Sequence, residues 1–167
     1  SIVSELNQVR DVEQKKALNA WAKQGFRGSI IAGTGFGKSR CGVLAIEHSL
    51  KNGGNALILV PTVQLQDQFI EEFDKWGVST DNVEVLCYQS AYKLLGNHYS
   101  IVLCDEVHLG LSPQYRKFFE NNTYKNLLCM TATLPEDEEY KELLYDLAPV
   151  RYKITLDQCV AKGIVAP

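Results

Sequence analysis

The sequence predicts an α/β domain built on a parallel, doubly wound sheet with helices on both faces. Three observations lead there. Short runs rich in Ile, Leu and Val recur along the chain, separated by stretches of helical periodicity. Several runs do not alternate, among them Ala56-Leu-Ile-Leu-Val60 and Ile101-Val-Leu-Cys104, which is the pattern of strands covered on both faces. The 167 residues contain no repeat or low-complexity linker in their interior. One domain of roughly 150 residues accounts for the length, and strand–helix alternation within it gives right-handed crossovers and parallel strands.

The strand candidates are Ser29–Ala32, Ala56–Val60, Val83–Tyr88, Ile101–Cys104, Asn126–Met130 and Val150–Lys153. A helix is expected after the first strand, through about Leu50. Gln64–Trp76 carries Leu65, Phe69, Phe73 and Trp76 on one side at helical spacing, and Thr62 can cap it. Ser112-Pro113 reads as a cap followed by proline at the first position of a helix over Gln114–Glu120. The run Glu136-Asp137-Glu138-Glu139 suits a solvated first turn, where the helix dipole favours acids, better than a metal site.

Composition narrows the function. With 46% apolar and 22% charged residues, neither disorder nor a coiled coil is the main state. No apolar run approaches the ~18–20 residues of a membrane helix. Seventeen basic against twenty acidic residues give a net charge of −3, so any nucleic-acid binding must rest on local patches. The five cysteines form no CxxC pair, and none has a His at zinc spacing. They read as reduced structural residues, which makes a cytoplasmic or nucleoid-associated location the expectation.

Open sheets of this kind bind ligands beyond the carboxyl ends of their strands. Ala32-Gly33-Thr34-Gly35-Phe36-Gly37-Lys38-Ser39 follows the first strand and precedes a helix, fitting the phosphate-binding loop. The glycines Gly33, Gly35 and Gly37 let the backbone of the loop, including Thr34, turn its N–H groups inward on phosphate oxygens. The helix N-terminus adds positive potential at the same point. Lys38 supplies a mobile charge for the terminal phosphates of ATP, and Ser39 a hydroxyl for Mg²⁺.

Asp105-Glu106-Val107-His108 follows the run Ile101–Cys104. A carboxylate there is costly unless an ion or hydrogen bonds compensate it. Asp105 is placed to hold Mg²⁺ and Glu106 to orient and activate the attacking water. His108 reads either as a satisfied polar residue at a loop start or as a polar link to Thr131-Ala132-Thr133, which ends the next strand. The hydroxyls of Thr131 and Thr133 can bridge a nucleotide site and a neighbouring surface.

Together these residues resemble the first RecA-like, P-loop NTPase domain of superfamily 2 (DExH-type) helicases and translocases. AGTGFGKS resembles motif I, DEVH motif II and TAT motif III. Arg10-Asp11-Val12-Glu13-Gln14 is similar to the element that reads adenine, which points to Gln14; an exposed polar residue on a helix is the other reading of that glutamine. Glu13 stands where an aromatic is usual. Leu59–Phe69 resembles motif Ia, and Cys87-Tyr88-Gln89-Ser90-Ala91 a further nucleic-acid motif. These imply phosphate contacts at Pro61, Thr62 and Ser90, the last at the end of a strand.

The subgroup resembled contains UvsW-type phage helicases, transcription-repair translocases and restriction-enzyme motor subunits. It implies an ATP-dependent motor on DNA rather than RNA. The alternatives are the motor of a restriction or remodelling complex that translocates without unwinding, and a nucleotide-binding switch without motor action. Residues 1–154 are expected to form the RecA-like domain, and residues 155–167 an exit segment toward a second RecA-like domain in a longer protein. That second domain would bring the arginine fingers, so these residues alone are expected to be nearly inactive.

Overall fold

The computed structural model describes residues 2–164, with side chains from residue 8 onward. In chain order the elements are α1 (Ile2–Lys23), β1 (Arg27–Ala32), α2 (Lys38–Ser49), β2 (Ala56–Val60), α3 (Val63–Lys75), β3 (Val83–Cys87) and α4 (Tyr88–Ala91). There follow β4 (His98–Asp105), a 3₁₀ turn (Val107–Gly110), α5 (Lys117–Asn121), β5 (Thr123–Thr131), α6 (Glu138–Leu147), β6 (Val150–Ile154) and α7 (Leu156–Ala161). The six strands form one sheet in the order β3-β2-β4-β5-β1-β6, every pairing parallel.

Strand side chains alternate between two cores, which explains why the strands read as unbroken apolar runs. Ile58, Val60, Ile101, Leu103, Leu128 and Met130 face the side packed by α1, α2 and α3, with Trp21, Ile46, Phe69 and Phe73. Leu57, Leu59, Val102, Cys104, Leu127 and Cys129 face the other side, against Tyr88, Phe118 and Leu144. A sheet covered on both faces selects apolar residues at every position. Each expected strand is present, and β2 has the expected bounds.

Three local expectations are corrected. Tyr88 leaves the β3 line and starts the single-turn helix α4, so Ser90 lies in a helix and not at a strand end. The helix expected over Gln114–Glu120 starts only at Lys117. Ser112 Oγ does accept from Tyr115 N at 3.2 Å, but the residues that follow wind on i→i+3 bonds, from Lys117 N to Gln114 O through Phe119 N to Arg116 O. Trp76 does not complete the buried stripe of α3: it is the C-cap residue and stays 43% exposed. The expected exit segment runs on into residues 165–167, which lie outside the described residues; its earlier part forms α7, capped by reciprocal bonds between Thr155 and Gln158.

Two other expectations hold. Thr62 Oγ1 accepts from Leu65 N at the head of α3, and Asp137 accepts from Glu139 N and Tyr140 N at the head of α6. The acidic run is a helix start. Among the described residues no cluster of His, Cys, Asp and Glu is arranged to hold a metal on its own, and no helix is long and apolar enough to cross a membrane.

Candidate nucleotide site

The phosphate loop, the acidic pair and Thr131 converge because three neighbouring strands, β1, β5 and β4, end together. β5 lies between the other two, so Thr131 at its end stands between Gly33–Ser39 and Asp105–Glu106. The loop and the acidic pair line one open cavity of about 770 Å³, with Gln14 and Arg40 on its wall.

In the loop, Gly37 caps α2 with φ 85° and ψ 46°, a left-handed conformation that glycine adopts without strain. A Cβ on Gly37 would run into the Gln14 amide. Phe36 turns inward, fully buried, and stacks on Tyr152 at 5.9 Å between centroids. It anchors the loop while Thr34 and Gly35 face the cavity. Lys38 Nζ donates to the Ala32 carbonyl at 2.8 Å, folding the ammonium back across its own loop.

Asp105 is the last residue of β4 and buried; Glu106 is half-buried beside it. Burial, reinforced by the Glu106 charge, pushes the Asp105 carboxyl up to about 6 against the opposing pull of Lys38. Glu106 holds φ 48°, a sparsely populated conformation for a residue with a side chain. His108 Nδ1 lies 3.2 Å from Thr131 Oγ1 and 3.7 Å from Glu106 Oε2, and Thr131 Oγ1 lies 3.5 Å from Glu106 Oε2. Of the two readings of His108, the polar link is the one its contacts match. Thr131 Oγ1 also donates to the Thr133 carbonyl at 3.0 Å.

Gln14 is 1% exposed, which removes the reading of it as an exposed helix residue. Its Nε2 donates to Phe36 O at 2.9 Å and Gly37 O at 3.4 Å, and its Oε1 accepts from Arg40 at 3.1 Å. The unusual Glu13 beside it ties α1 to the far end of the chain. Its buried carboxylate accepts from Tyr152 Oη at 2.5 Å and Lys16 at 3.1 Å, and pairs with Lys162 at 3.5 Å. Burial opposes the Glu13 charge, yet these partners outweigh it and hold the carboxyl below its usual range.

Pro61 and Thr62 follow the carboxyl end of β2 and Ser90 lies in α4, the turn of helix after β3, all away from the loop; Thr62 and Ser90 are exposed, Pro61 half-buried. The Arg40 contact was not foreseen. Its guanidinium pairs with Asp11 and lies over the Trp76 ring, 4.2 Å from the centroid. It thus turns away from the phosphate loop, as its place on α2 suggests. An arginine directly after Gly-Lys-Ser was the available signal.

The sequence model of the family described as DEAD/DEAH box helicase matches residues 11–97. The chain belongs to this family. No curated protein sequence matches it. Among solved structures, the Hef helicase domain of Pyrococcus furiosus is similar with a TM-score of 0.63 at 17% identity, over 87% of this chain and 36% of that one. UvsW helicase from bacteriophage T4 gives 0.63 at 19% identity, over 85% and 58%. The Type ISP restriction-modification enzyme LlaGI, solved with a DNA substrate mimic, gives 0.64 at 17%, over 93% and 18%. At such identities the likeness shows the shared RecA-like fold. The chain spans less than two thirds of the length of each of these three relatives.

Proposed function

We propose that this helicase-family domain is the ATP-binding first motor domain of a DNA helicase or translocase, formed by residues 1–154, with 155–167 leading toward a second RecA-like domain. The observation that carries this reading is the cavity shared by the phosphate loop and the Asp105–Glu106 pair, with Thr131 between them. DNA is favoured because LlaGI was solved with a DNA mimic and the similar Sulfolobus solfataricus SWI2/SNF2 core with double-stranded DNA.

The residues fit Mg²⁺ and ATP. Asp105 is a buried carboxylate beside a second acid, with Lys38 the cation that offsets it. A divalent ion would supply the missing charge, held by Asp105 and the Ser39 hydroxyl. One or two protein ligands, with phosphates and water completing the shell, suffice for Mg²⁺. The ion would neutralise charge on the terminal phosphate oxygens. Lys38 leaves the Ala32 carbonyl for those oxygens, and the N–H groups at the head of α2 hold the rest of the chain of phosphates. Glu106 orients a water and accepts its proton at a carboxylate oxygen. His108 and Thr131 carry the state of that carboxylate to Thr133 at the surface. Pro61, Thr62 and Ser90 take nucleic-acid phosphates.

Calorimetry with Mg·ATP tests this. Lys38→Ala is expected to abolish measurable binding while circular dichroism and melting stay native. Unchanged affinity in Lys38→Ala would overturn the assignment.

A further inference from the structure

We propose that the corner where the end of α1 meets the start of β6 is a second nucleic-acid surface, one that holds the phosphodiester backbone. This rests on the DNA reading above and adds a contact to it. The sequence already separates the charges. Acids outnumber bases over the whole chain, yet from Gln14 to Ile46 there is no Asp or Glu, while Lys15, Lys16, Lys23 and Arg27 fall in that stretch. A second acid-free stretch, from Leu147 to Leu156, holds Arg151 and Lys153. The fold brings the two together, because β6 pairs with β1 and α1 packs against both strands. Where they meet is an open cavity of about 540 Å³, walled by Lys16, Lys23 and Arg151 with the amides of Asn19 and Gln24. Among the described residues, none of its lining side chains is acidic.

Arg151 is held ready for an anion. Its Nε donates to the Arg27 carbonyl at 3.0 Å, which fixes the fork and leaves its terminal nitrogens for a ligand. Its stem lies across Gly28, where a Cβ would run into Arg151 Cγ and the Pro149 carbonyl. On α1, Lys16, Asn19 and Lys23 follow at i, i+3 and i+7 and share one face. Lys16 also pairs with the buried Glu13 at 3.1 Å. Lys16 and Lys23 stand about 10 Å apart along the helix axis, the rise of about three nucleotides on one strand of a duplex. That span suits a run of phosphates better than a single one. An acidic protein fits less well. Protein interfaces concentrate aromatic residues and exclude lysine from their centres, whereas the apolar residues lining this cavity are Ala20 and Val150. Arg, Lys, Asn and Gln are the side chains that take phosphate oxygens. The surface lies off the path of Pro61, Thr62 and Ser90. β6 is four strand spacings from β2, about 20 Å, and the cavity sits at the opposite end of β1 from the phosphate loop. It therefore holds a stretch of nucleic acid that does not cross those residues.

The test is fluorescence anisotropy of a labelled DNA duplex with the native chain, Lys23→Gln, Arg151→Gln, the double variant and Ser90→Glu, across about 50–200 mM KCl. Lys23 is exposed in the last turn of α1, so its substitution leaves the core whole even if Arg151→Gln does not. Each single variant should weaken the duplex about tenfold at about 100 mM salt and reduce the salt slope by about one, as loss of one phosphate contact does. The double variant should lose about a hundredfold and about two in slope. Binding of Mg·ATP should stay native in all three. Native affinity and slope in Lys23→Gln and the double variant would overturn the proposal. If Ser90→Glu weakens the duplex in that same experiment, the DNA reading stands without it. Absence of duplex binding by the native chain at the lowest salt would remove both. Poly-glutamate of matched charge, bound as tightly as the duplex and lost in the same variants, would make this a surface for acidic protein and overturn the proposal.

Discussion

Tyr88 donates its phenol to the main-chain carbonyl of Asp105 across 2.8 Å, inside the core. The bond ties the one-turn helix bearing Ser90 to the strand end bearing the acidic pair. The ring packs so closely on Gly110 that a Cβ there would collide with it, and it stacks on Tyr115 at 6.4 Å. Tyr88→Phe should cost about 1–2 kcal/mol for the lost buried bond. Gly110→Ala should cost about 1–3 kcal/mol by overpacking the same ring. Urea titrations of both variants check these values.

Asp105 destabilises the domain while it is ionised. Its carboxyl sits at about 6 when folded, against an ordinary 3.8, because burial and Glu106 disfavour the charge. A group raised in this way contributes stability below its unfolded value and loses that contribution as pH rises through the folded one. Asp105→Asn should therefore melt above the native chain at pH 7.5, by an amount on the order of 2–3 kcal/mol. The advantage should shrink steadily toward pH 4. Thermal melts across that range, without nucleotide, supply the check.

Glu13 has the opposite sign. Its lowered carboxyl contributes stability above the usual carboxylate range, lost as pH falls through the folded value. Glu13→Gln strips the charge from under Tyr152, Lys16 and Lys162, and should cost about 1–3 kcal/mol at pH 7. As pH falls past the lowered folded value of this carboxyl, the variant and the native chain should converge. A cost that persists unchanged into acid would mean that shape, not charge, holds α1 to β6 and α7.

Hydrolysis by residues 1–167 should be slow even with saturating DNA. All five arginines are engaged elsewhere: Arg10 with Ile164 O, Arg27 with Leu147 O, Arg40 with Asp11, Arg116 with Leu111 O and Arg151 with Arg27 O. An arginine at the transferring phosphate is worth about 10³–10⁵ in rate in other NTPases. Steady-state turnover faster than about one per second from this chain would show that such a charge is present after all, since typical unassisted NTPases run far below that. Within a protein that supplies it, Glu106→Gln should bind ATP normally and stop hydrolysis.

The sheet and the ends of its strands could be read from the sequence because burial on both faces leaves one pattern, and because Gly37-Lys38-Ser39 and Asp105-Glu106 sit where strands stop. Helix α1 could not. Among the described residues its buried positions are Glu13, Gln14, Ala17 and Trp21, two of them polar, so the apolar period disappears. What makes that face workable, the Tyr152 phenol and the Phe36 carbonyl, lies 139 and 22 residues away. Trp76 misled for the reverse reason. It has the right spacing for the core, but the helix ends at Lys75 and releases it toward Arg40.

All five thiols are free and buried, and burial raises Cys41 to about 12. In the folded state all five side chains are buried, out of reach of an alkylating reagent. A single cysteine introduced at Thr62, Ser90 or Thr34 would therefore react alone, without the native five being removed first. Spin labels or fluorophores could be attached at chosen points around the cavity of an otherwise unaltered domain, and the distances across its rim compared with and without added Mg·ATP.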